Sequence, residues 1–493
     1  MISQSLPSAT DDWSSLAGIT PLHARVAEYL RRGLRRGEYP LNRPMPPSRV
    51  LAEQLGISRT TVQTALQTLL DEQVIVSRPR SGMYPVESAA VAESVASPVD
   101  WNQLFYKVAP PVPQIVEPDH SRYPFPFLSG QIEQAAFPTR SWLKAVNQAM
   151  SGKNLRVALG DPRDGDDQEL VSALIEEVLA LRGVHATPDE VMITVGTQQG
   201  LHLLTRALLG PGVQVAMENP GYVDAEHVFS SSGARMQYMA VDGAGASPDD
   251  AAGAHVIYLT PSSHHPTSVT LSPERRQRFL ALAEAQDAIL IEDDYDAEIR
   301  LQGPPLAPMK SLDQSGRVVY LGTFSKYLAP GLRMGYVVAV PELIAQLRSF
   351  RHYATKAPSP MLQRSLALFI RSGDYARQLR SYRVKSRAKF TRFAEAVGEY
   401  LPEFADQLTV PQMNMWLRMP ERLDGGAAPE AVVGAEEWSQ HARARGVLVT
   451  PGSMYYAPGT TVRDDELRVG LASIPEARIA AGVRALGCAG RHY

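Results

Sequence analysis

The stretch VVYLGTFSKYLAPGLRMGYVVAV, residues 318–340, decides how the rest of the chain is read. Val318 to Leu321 form an apolar, strand-like run that ends in a small, hydroxyl-rich turn. That turn delivers one lysine, Lys326, with Thr323 and Ser325 before it and Arg333 seven residues after it. A solvated lysine titrates near ~10.4 and is a poor nucleophile, whereas one held beside other cations or in a dry site is neutral enough to attack an aldehyde. Flanking hydroxyls and a guanidinium suit a phosphate better than they suit a carbonyl substrate alone. Together these features describe a pocket for pyridoxal phosphate. A lone lysine after a strand, without such neighbours, reads as an ordinary surface residue.

Around this stretch, short apolar runs alternate with helical patterns: Val191 to Thr194, Val213 to Met217, Val256 to Leu259, Ala288 to Ile291 and Tyr336 to Val340. Near-continuous apolar strands separated by helices indicate an α/β body with a mainly parallel sheet covered on both faces. In such sheets the ligand sits at the carboxyl ends of the strands. The residues at those ends carry chemistry. Gly196-Thr197-Gln198-Gln199-Gly200 opens a helix with Leu201, Leu204 and Leu208, and reads as a phosphate cradle or as an ordinary capped helix. Glu218 to Tyr222 forms a tight turn whose Tyr222 either stacks on a flat cofactor or fills core.

Thr260 to Ser268 contains His264 and His265. Adjacent histidines suggest zinc, but a zinc site needs three or four spaced ligands and no others are nearby, so the segment reads as a loop at the cofactor's edge and no metal is expected. In Glu292-Asp293-Asp294-Tyr295-Asp296, an acid at a buried strand's end would keep a pyridinium nitrogen protonated, and Tyr295 would donate to the phenolic oxygen. A hydrated acidic loop and a magnesium site are the alternatives, the latter without a Walker-type loop to serve. Leu467 to Ala472 puts Arg468 on a short strand, where its planar fork matches a carboxylate or a surface salt bridge.

At 493 residues, 44% hydrophobic and 20% charged, the chain is of globular composition and exceeds one ordinary core. Its formal charge of -3 is unevenly divided. Residues 20–85 carry ten Arg, no Lys and five acidic residues, a net of +5 that leaves -8 for the remainder. The basic head suits a polyanion that the acidic body would repel. A single cysteine, Cys488, excludes a disulfide framework. No signal-peptide pattern and no apolar run of about 18 residues is present, so neither export nor a membrane span is expected and the cytoplasm is the default.

Within the head, Leu22, Val26, Tyr29, Leu30 and Leu34 recur at helical spacing up to Gly37. Ser48 reads as the N-cap of a short helix with Val50, Leu51 and Leu55, closed by Gly56. Ser58 caps a second helix whose buried face is Val62, Leu66, Leu69 and Leu70. This pair is a helix-turn-helix, and Ser58-Arg59-Thr60-Thr61 puts a cation and hydroxyls where a recognition helix meets base edges and phosphates. Val74 to Val76 and Met83 to Val86 read as strands joined by a basic wing, Arg78-Pro79-Arg80-Ser81-Gly82. Capped helix pairs also occur as plain structure; the wing is what argues for DNA. From 87 to about 120 the periodicity fades into Ala, Ser, Val and Pro, the composition of a tether, with Trp101, Phe105 and Tyr106 expected to pack on one of the domains. The expected organisation is a winged helix-turn-helix at 15–86, a flexible linker at 87–120 and the body at 121–493.

The head resembles the winged helix-turn-helix of the GntR family through Pro47-Ser48-Arg49, Leu51-Ala52, Ser58-Arg59-Thr60-Thr61-Val62 and Ser81-Gly82. That resemblance implies operator DNA as partner and Arg49, Arg59, Thr60, Thr61 and the wing at Gly82 as contacts, beside Ser58, Arg78 and Arg80. The body's motifs, GTQQGL, ENPGY, EDDYDAE, GTFSK with Arg333, and LRVG, are in combination similar to the class I branch of the fold-type I aminotransferases, PLP-dependent transferases. Nearly the whole chain resembles the MocR/GabR subfamily of GntR regulators, in which such a body senses an effector.

By this resemblance Lys326 forms the internal aldimine, Asp293 meets the pyridine nitrogen with Asp294 as fallback, Tyr295 meets the phenolic oxygen and Tyr222 stacks. Thr197, Gln198, Thr323, Ser325 and Arg333 hold the phosphate, and Arg468 takes an effector's acid group with His265 at the ligand edge. An amino compound would exchange with Lys326 to form an external aldimine. A homodimer, with heads crossing to the partner, is implied as well. Two positions depart from the family: Leu159-Gly160-Asp161-Pro162 stands where Tyr-Gly-Asp-Pro is common, and Pro266-Thr267-Ser268 stands for Pro-Thr-Gly. Both fall at the ligand edge. The rival readings are an aminotransferase with an incidental head, and a DNA-binding protein whose body is a cofactor-free dimerisation module. Neither the effector nor the sign of regulation is written in these residues.

Overall fold

A computed structural model describes residues 13, 15–86, 99–100, 103–105, 119–130, 132–161, 165–296, 298, 300–303, 306–324, 326, 328–419 and 434–490. The chain divides into two compact units, Met1–Ala109 and Pro110–Tyr493. Most of the expected linker lies outside the described residues, as do Trp101, Tyr106, Pro162 and Ser325. Phe105 is described and is 52% exposed beside Leu104 at 63%, so it is not packed as expected: the short described segment 103–105 brings no α-helix or strand that would hold it on a core. Among the described residues no helix is long and apolar enough to cross a membrane.

The smaller unit is built from α1 (Leu22–Arg35), α2 (Ser48–Leu55) and α3 (Arg59–Asp71), followed by β1 (Ile75–Arg78) and β2 (Gly82–Pro85). The apolar stripes meet in one core of Val26, Tyr29, Leu30, Leu51, Val62, Leu66, Leu69 and Ile75. Ser58 caps α3 by accepting from the Thr61 amide at 3.2 Å, and Gly56 closes α2 in the left-handed conformation at φ 64. Ser48, however, does not cap α2. Pro47 occupies that position in extended backbone and Ser48 is the first helical residue. A proline's fixed φ suits the approach to a helix but brings no side-chain acceptor, so α2 starts without a cap bond. Leu70 is only partly buried. Strands β1 and β2 pair antiparallel from Ile75↔Pro85 to Arg78↔Gly82, which makes the wing.

The larger unit is organised on an eight-stranded sheet. In chain order its strands are β3 (Val191–Thr194), β4 (Gln214–Asn219), β5 (Arg235–Asp242), β6 (Gly245–Ala246), β7 (Val256–Leu259), β8 (Ile289–Asp293), β9 (Val318–Thr323) and β10 (Gly335–Val338). Their order across the sheet is β3-β10-β9-β8-β7-β4-β5-β6. The pairs from β9 through β8, β7 and β4 to β5 are parallel; β10 runs against both of its neighbours. Side chains alternate between two apolar layers, Val191, Ile193 and Tyr320 on one face and Met192, Val319 and Leu321 on the other. This double burial is why the strands read as continuous apolar runs. Strand β5 had no such run because its side chains are mostly exposed or half-buried along an outlying part of the sheet.

Behind the sheet's carboxyl edge stands a second layer, in which the helix Asp374–Tyr400 packs on an antiparallel sheet of β11 (Asn414–Arg418), β12 (Thr450–Pro451) and β13 (Glu466–Gly470), ordered β11-β13-β12. Arg468 sits mid-strand on β13, opposite Trp416 and Thr450. The two layers are stitched close to the site: the Gly221 amide donates to the Tyr455 carbonyl at 2.9 Å, and the Ala457 amide to Asn219 Oδ1 at 2.9 Å.

Candidate functional site

At the carboxyl edge of β3, the turn into the helix Gly196–Leu208 passes through Gly196 at φ +71. A Cβ there would lie 3.2 Å from the Arg333 guanidinium, so the absence of a side chain leaves room for that cation, whose Nη2 donates to the Val195 carbonyl at 3.4 Å just before the helix. Arg333 itself adopts φ 49, a left-handed backbone uncommon for a residue with a side chain and of the kind that functional sites retain. Thr197, Gln198 and Thr323 join Arg333 in lining a cavity of about 180 Å³ that also contains Lys326, Asp293, Tyr222, Tyr295 and His265. The described phosphate-holding candidates therefore converge on one spot.

Asp293 ends β8 inside this cavity. Tyr258 donates to its Oδ2 at 2.9 Å, while its buried Oδ1 has no partner among the described residues. Burial raises the carboxyl's pKa to about 6, Asp294 adding to the effect and the Tyr258 bond and Lys326 opposing it. Asp294 points elsewhere: Arg182 and Tyr320 hold its Oδ2 at 2.5 and 2.8 Å. Of the two acids, Asp293 alone lines the cavity.

Lys326 enters from the turn after β9. Its Nζ lies 5.5 Å from the Tyr295 ring centroid, and a Cβ on Gly130 (φ +78) would sit 3.3 Å from it. Enclosure draws the ammonium below the usual lysine range, Arg468 adding like-charge repulsion while Asp296 and Asp293 pull the other way. That is the direction a nucleophilic amine requires.

An adjoining cavity, also of about 180 Å³, shares Lys326, Tyr222, Tyr295, His265 and Gly130 with the first and reaches Arg468, Asp224, Asp296 and Tyr455. His265 is the hinge of the arrangement. Its ring meets Tyr222, Tyr295 and Tyr455 edge-on at centroid distances of 5.2, 5.9 and 5.4 Å, and its Nε2 lies 2.6 Å from Arg468 Nη1. Burial, then the cations Arg468 and Lys326, hold the imidazole well below its usual pKa, so Nε2 accepts from the guanidinium. Its neighbour His264 instead bonds Thr267 at 2.7 Å and faces Glu218, so the two rings serve different partners. Tyr222 donates to Gln198 or Asp224, each at 3.2 Å.

Sequence reasoning overlooked Tyr258, Tyr455, Asp224, Asp296 and Gly130. Tyr258 is hidden in an apolar strand and Tyr455 at the end of a short helical turn, Gly452–Tyr455, far along the chain. Asp296 stood inside a quoted motif, two residues from Asp294, where the alternation past a strand's end was the available signal.

On the smaller unit, Arg49, Ser58, Arg59, Thr60, Arg80 and Gly82 are exposed and Thr61 is partly so. Arg59 Nε approaches Ser48 Oγ at 3.4 Å, and Ser58 and Thr61 share a hydroxyl contact of 2.7 Å. Arg78 lies over the Tyr84 ring, its guanidinium carbon 4.2 Å from the centroid, which stiffens the wing. A groove of about 630 Å³ separates the wing from α3 and is lined by Arg43, Gln63 and Gln67, polar residues that periodicity alone left unassigned. Arg31, Arg32 and Arg36 on α1 and just after it pair with Glu28, Glu72 and Glu38; among the described residues Arg49, Arg59, Arg78 and Arg80 form no ion pair.

Residues 22–84 match the family of bacterial regulatory proteins, gntR family, and residues 127–486 match aminotransferase class I and II. The HTH-type transcriptional regulator TauR of Rhodobacter capsulatus is 35% identical over 94% of this chain and 96% of its own. The probable rhizopine catabolism regulatory protein MocR of Rhizobium meliloti is 32% identical, covering 88% and 87%. Among solved structures, LysN, the alpha-aminoadipate aminotransferase of Thermus thermophilus complexed with N-(5'-phosphopyridoxyl)-L-leucine, aligns with a TM-score of 0.68 at 25% identity, over 79% of this chain and 98% of that one.

Proposed function

Because the chain belongs to the MocR-type regulators of the GntR family and its body to the class I and II aminotransferases, we propose that this transcriptional regulator uses pyridoxal phosphate to sense an amino compound. One observation carries the reading: a depressed-pKa lysine, a buried carboxylate oxygen without a partner among the described residues and a guanidinium beside the start of a helix share one cavity. When bound, pyridoxal phosphate supplies an aldehyde that condenses reversibly with amines. Lys326 is the resident amine. Asp293 Oδ1 would accept a ring N–H, with Tyr295 beside the phenolic oxygen and Tyr222 against the ring. Thr197, Gln198, Thr323, Ser325 and Arg333 would hold the phosphate. Arg468, beside His265, would hold the acid end of an amino compound that competes with Lys326 for the aldehyde.

Operator DNA binds across the start of α3 and the wing, through Arg49, Ser58, Arg59, Thr60, Thr61, Arg78, Arg80 and Gly82. A linker over 87–120 joins the DNA-binding domain, 15–86, to the body, 121–493, and the protein acts in the cytoplasm. A homodimer is supported by exposed Leu143, Leu155, Val157 and Leu159 on and beside the helices Thr139–Ala149 and Gly152–Ala158, apolar surface that a second copy would cover, and heads crossing to the partner are part of the same proposal. A ligand shifts DNA binding only through differential contacts with two states of the protein.

The test is absorption of the purified chain with pyridoxal phosphate, borohydride fixation with mass mapping, and operator binding with and without amines. A yellow protein fixed at Lys326, whose footprint changes with an amine, is expected. A colourless protein with nothing fixed at 326 overturns the proposal, and steady turnover of an amino donor with an oxo acid would favour the enzyme reading.

A further inference from the structure

We infer that the compound received beside Lys326 carries a single acid group and a primary amine, with room for a second amine or hydroxyl and none for a second acid. This rests on the cofactor and effector reading above and goes on to name the ligand's charge pattern.

Arg468 is 3% exposed, and among the described residues its side-chain hydrogen-bond partners are both neutral: His265 Nε2 at 2.6 Å and the Tyr455 hydroxyl at 3.4 Å. Its buried Nε has no partner among the described residues. A desolvated guanidinium with neutral partners and a spare donor is a receptor for an anion. Because His265 presents a neutral acceptor in place of a carboxylate, it orients the fork without cancelling its charge. His265 is thus a positioning residue for the acid end. Lys326 lines the same cavity, so the ligand's amine and acid are fixed at two points of a space of about 180 Å³.

The remaining wall sets the selectivity. Among the described residues lining this cavity, Lys326 and Arg468 are the only lysine and arginine, and both are engaged by the ends of the ligand. What a third substituent meets is Asp224, which accepts from Tyr222 at 3.2 Å, and Asp296, which lies close enough for both Lys326 and Arg468 to act on its charge. A second carboxylate or sulfonate would face these acids at low dielectric with no cation to receive it, whereas an ammonium or hydroxyl would be welcomed.

The experiment uses the full chain loaded with pyridoxal phosphate, its colour recorded before any probe is added. Calorimetry and cofactor absorption then follow titration with L-alanine and β-alanine (one acid, one amine), L-ornithine (one acid, two amines), and L-aspartate and L-glutamate (two acids). The best one-acid probe is expected to bind at least roughly tenfold more tightly than either two-acid probe. Asp224→Asn and Asp296→Asn, near-isosteric and checked for retained colour, are expected to narrow that ratio by strengthening the two-acid probes. His265→Phe, compared at equal cofactor loading, is expected to weaken the one-acid probes. Equal or absent response to both classes, or a ratio unmoved in both Asn variants, overturns the inference. Absence of colour at the outset overturns the cofactor reading instead, so the two failures are told apart.

Discussion

Lys326 and Glu218 illustrate opposite uses of burial. Enclosure favours the neutral form of each, making the lysine a nucleophile and the glutamic acid a proton holder. Lys326→Ala is expected to abolish the borohydride-stable adduct while leaving residual, non-covalent cofactor uptake through Arg333 and Asp293; mass spectrometry after reduction and dialysis checks it. For Glu218 the sign follows from the shift. Its carboxyl accepts from the Thr260 amide and hydroxyl at 3.0 and 2.6 Å, yet burial raises its pKa from 4.5 to about 8. The folded state therefore binds this proton more tightly, and the associated stability, full below about pH 4.5, is lost as pH rises toward 8. Glu218→Gln keeps the acceptor oxygen and is expected to flatten that slope, gaining on the order of a few kcal/mol relative to the parent at pH 8 compared with pH 5. Thermal melts across that range decide it. Lys326 and Asp293 were legible because each stands at or near the end of an apolar run, and Arg468 because it interrupts the short apolar run Leu467 to Ala472, places where a charge needs a reason. Asp224, Tyr258 and Tyr455 were not, since their roles arise from side chains meeting across segments that sequence spacing does not relate.

Among the elements, α3 carries the sharpest expectation. Its first turn presents Arg59 to solvent with Ser58 as cap. Arg59→Ala is expected to weaken operator binding and, if the contact is to phosphate, to lower the slope of log affinity against log salt by about one; a base contact would instead relax specificity at one position. Ser58→Ala removes the cap and is expected to cost about 1 kcal/mol of stability in the DNA-binding unit. The same element shows why most of the fold was readable. Ser58 follows a left-handed glycine and precedes an apolar stripe, so capping and periodicity agree; at Ser48 the preceding proline had already taken the capping place. In the sheet, two-sided burial left long apolar runs at six strands, whereas β5, lining an outlying part of the sheet with mixed exposure, left none.

For the molecule as a whole, separate cores in the two units predict two unfolding transitions. Pyridoxal phosphate is expected to raise the melting temperature of the larger unit alone, by about 2.7 kcal/mol of added stability at a hundredfold excess over Kd. Calorimetry with and without the cofactor measures it; an equal rise in both transitions would contradict it. The antiparallel course of β10 has a consequence for how such a body can vary. Residues 324–334 bridge β9 and β10, whose register is pinned from Thr323↔Gly335 onward, so Lys326 and Arg333 hang from one short bridge with both abutments fixed. Adding or deleting a single residue there would shift anchor and counter-charge together. Length changes elsewhere leave that span intact, so descent and engineering alike are free to remodel distant loops but must treat this one as a fixed gauge.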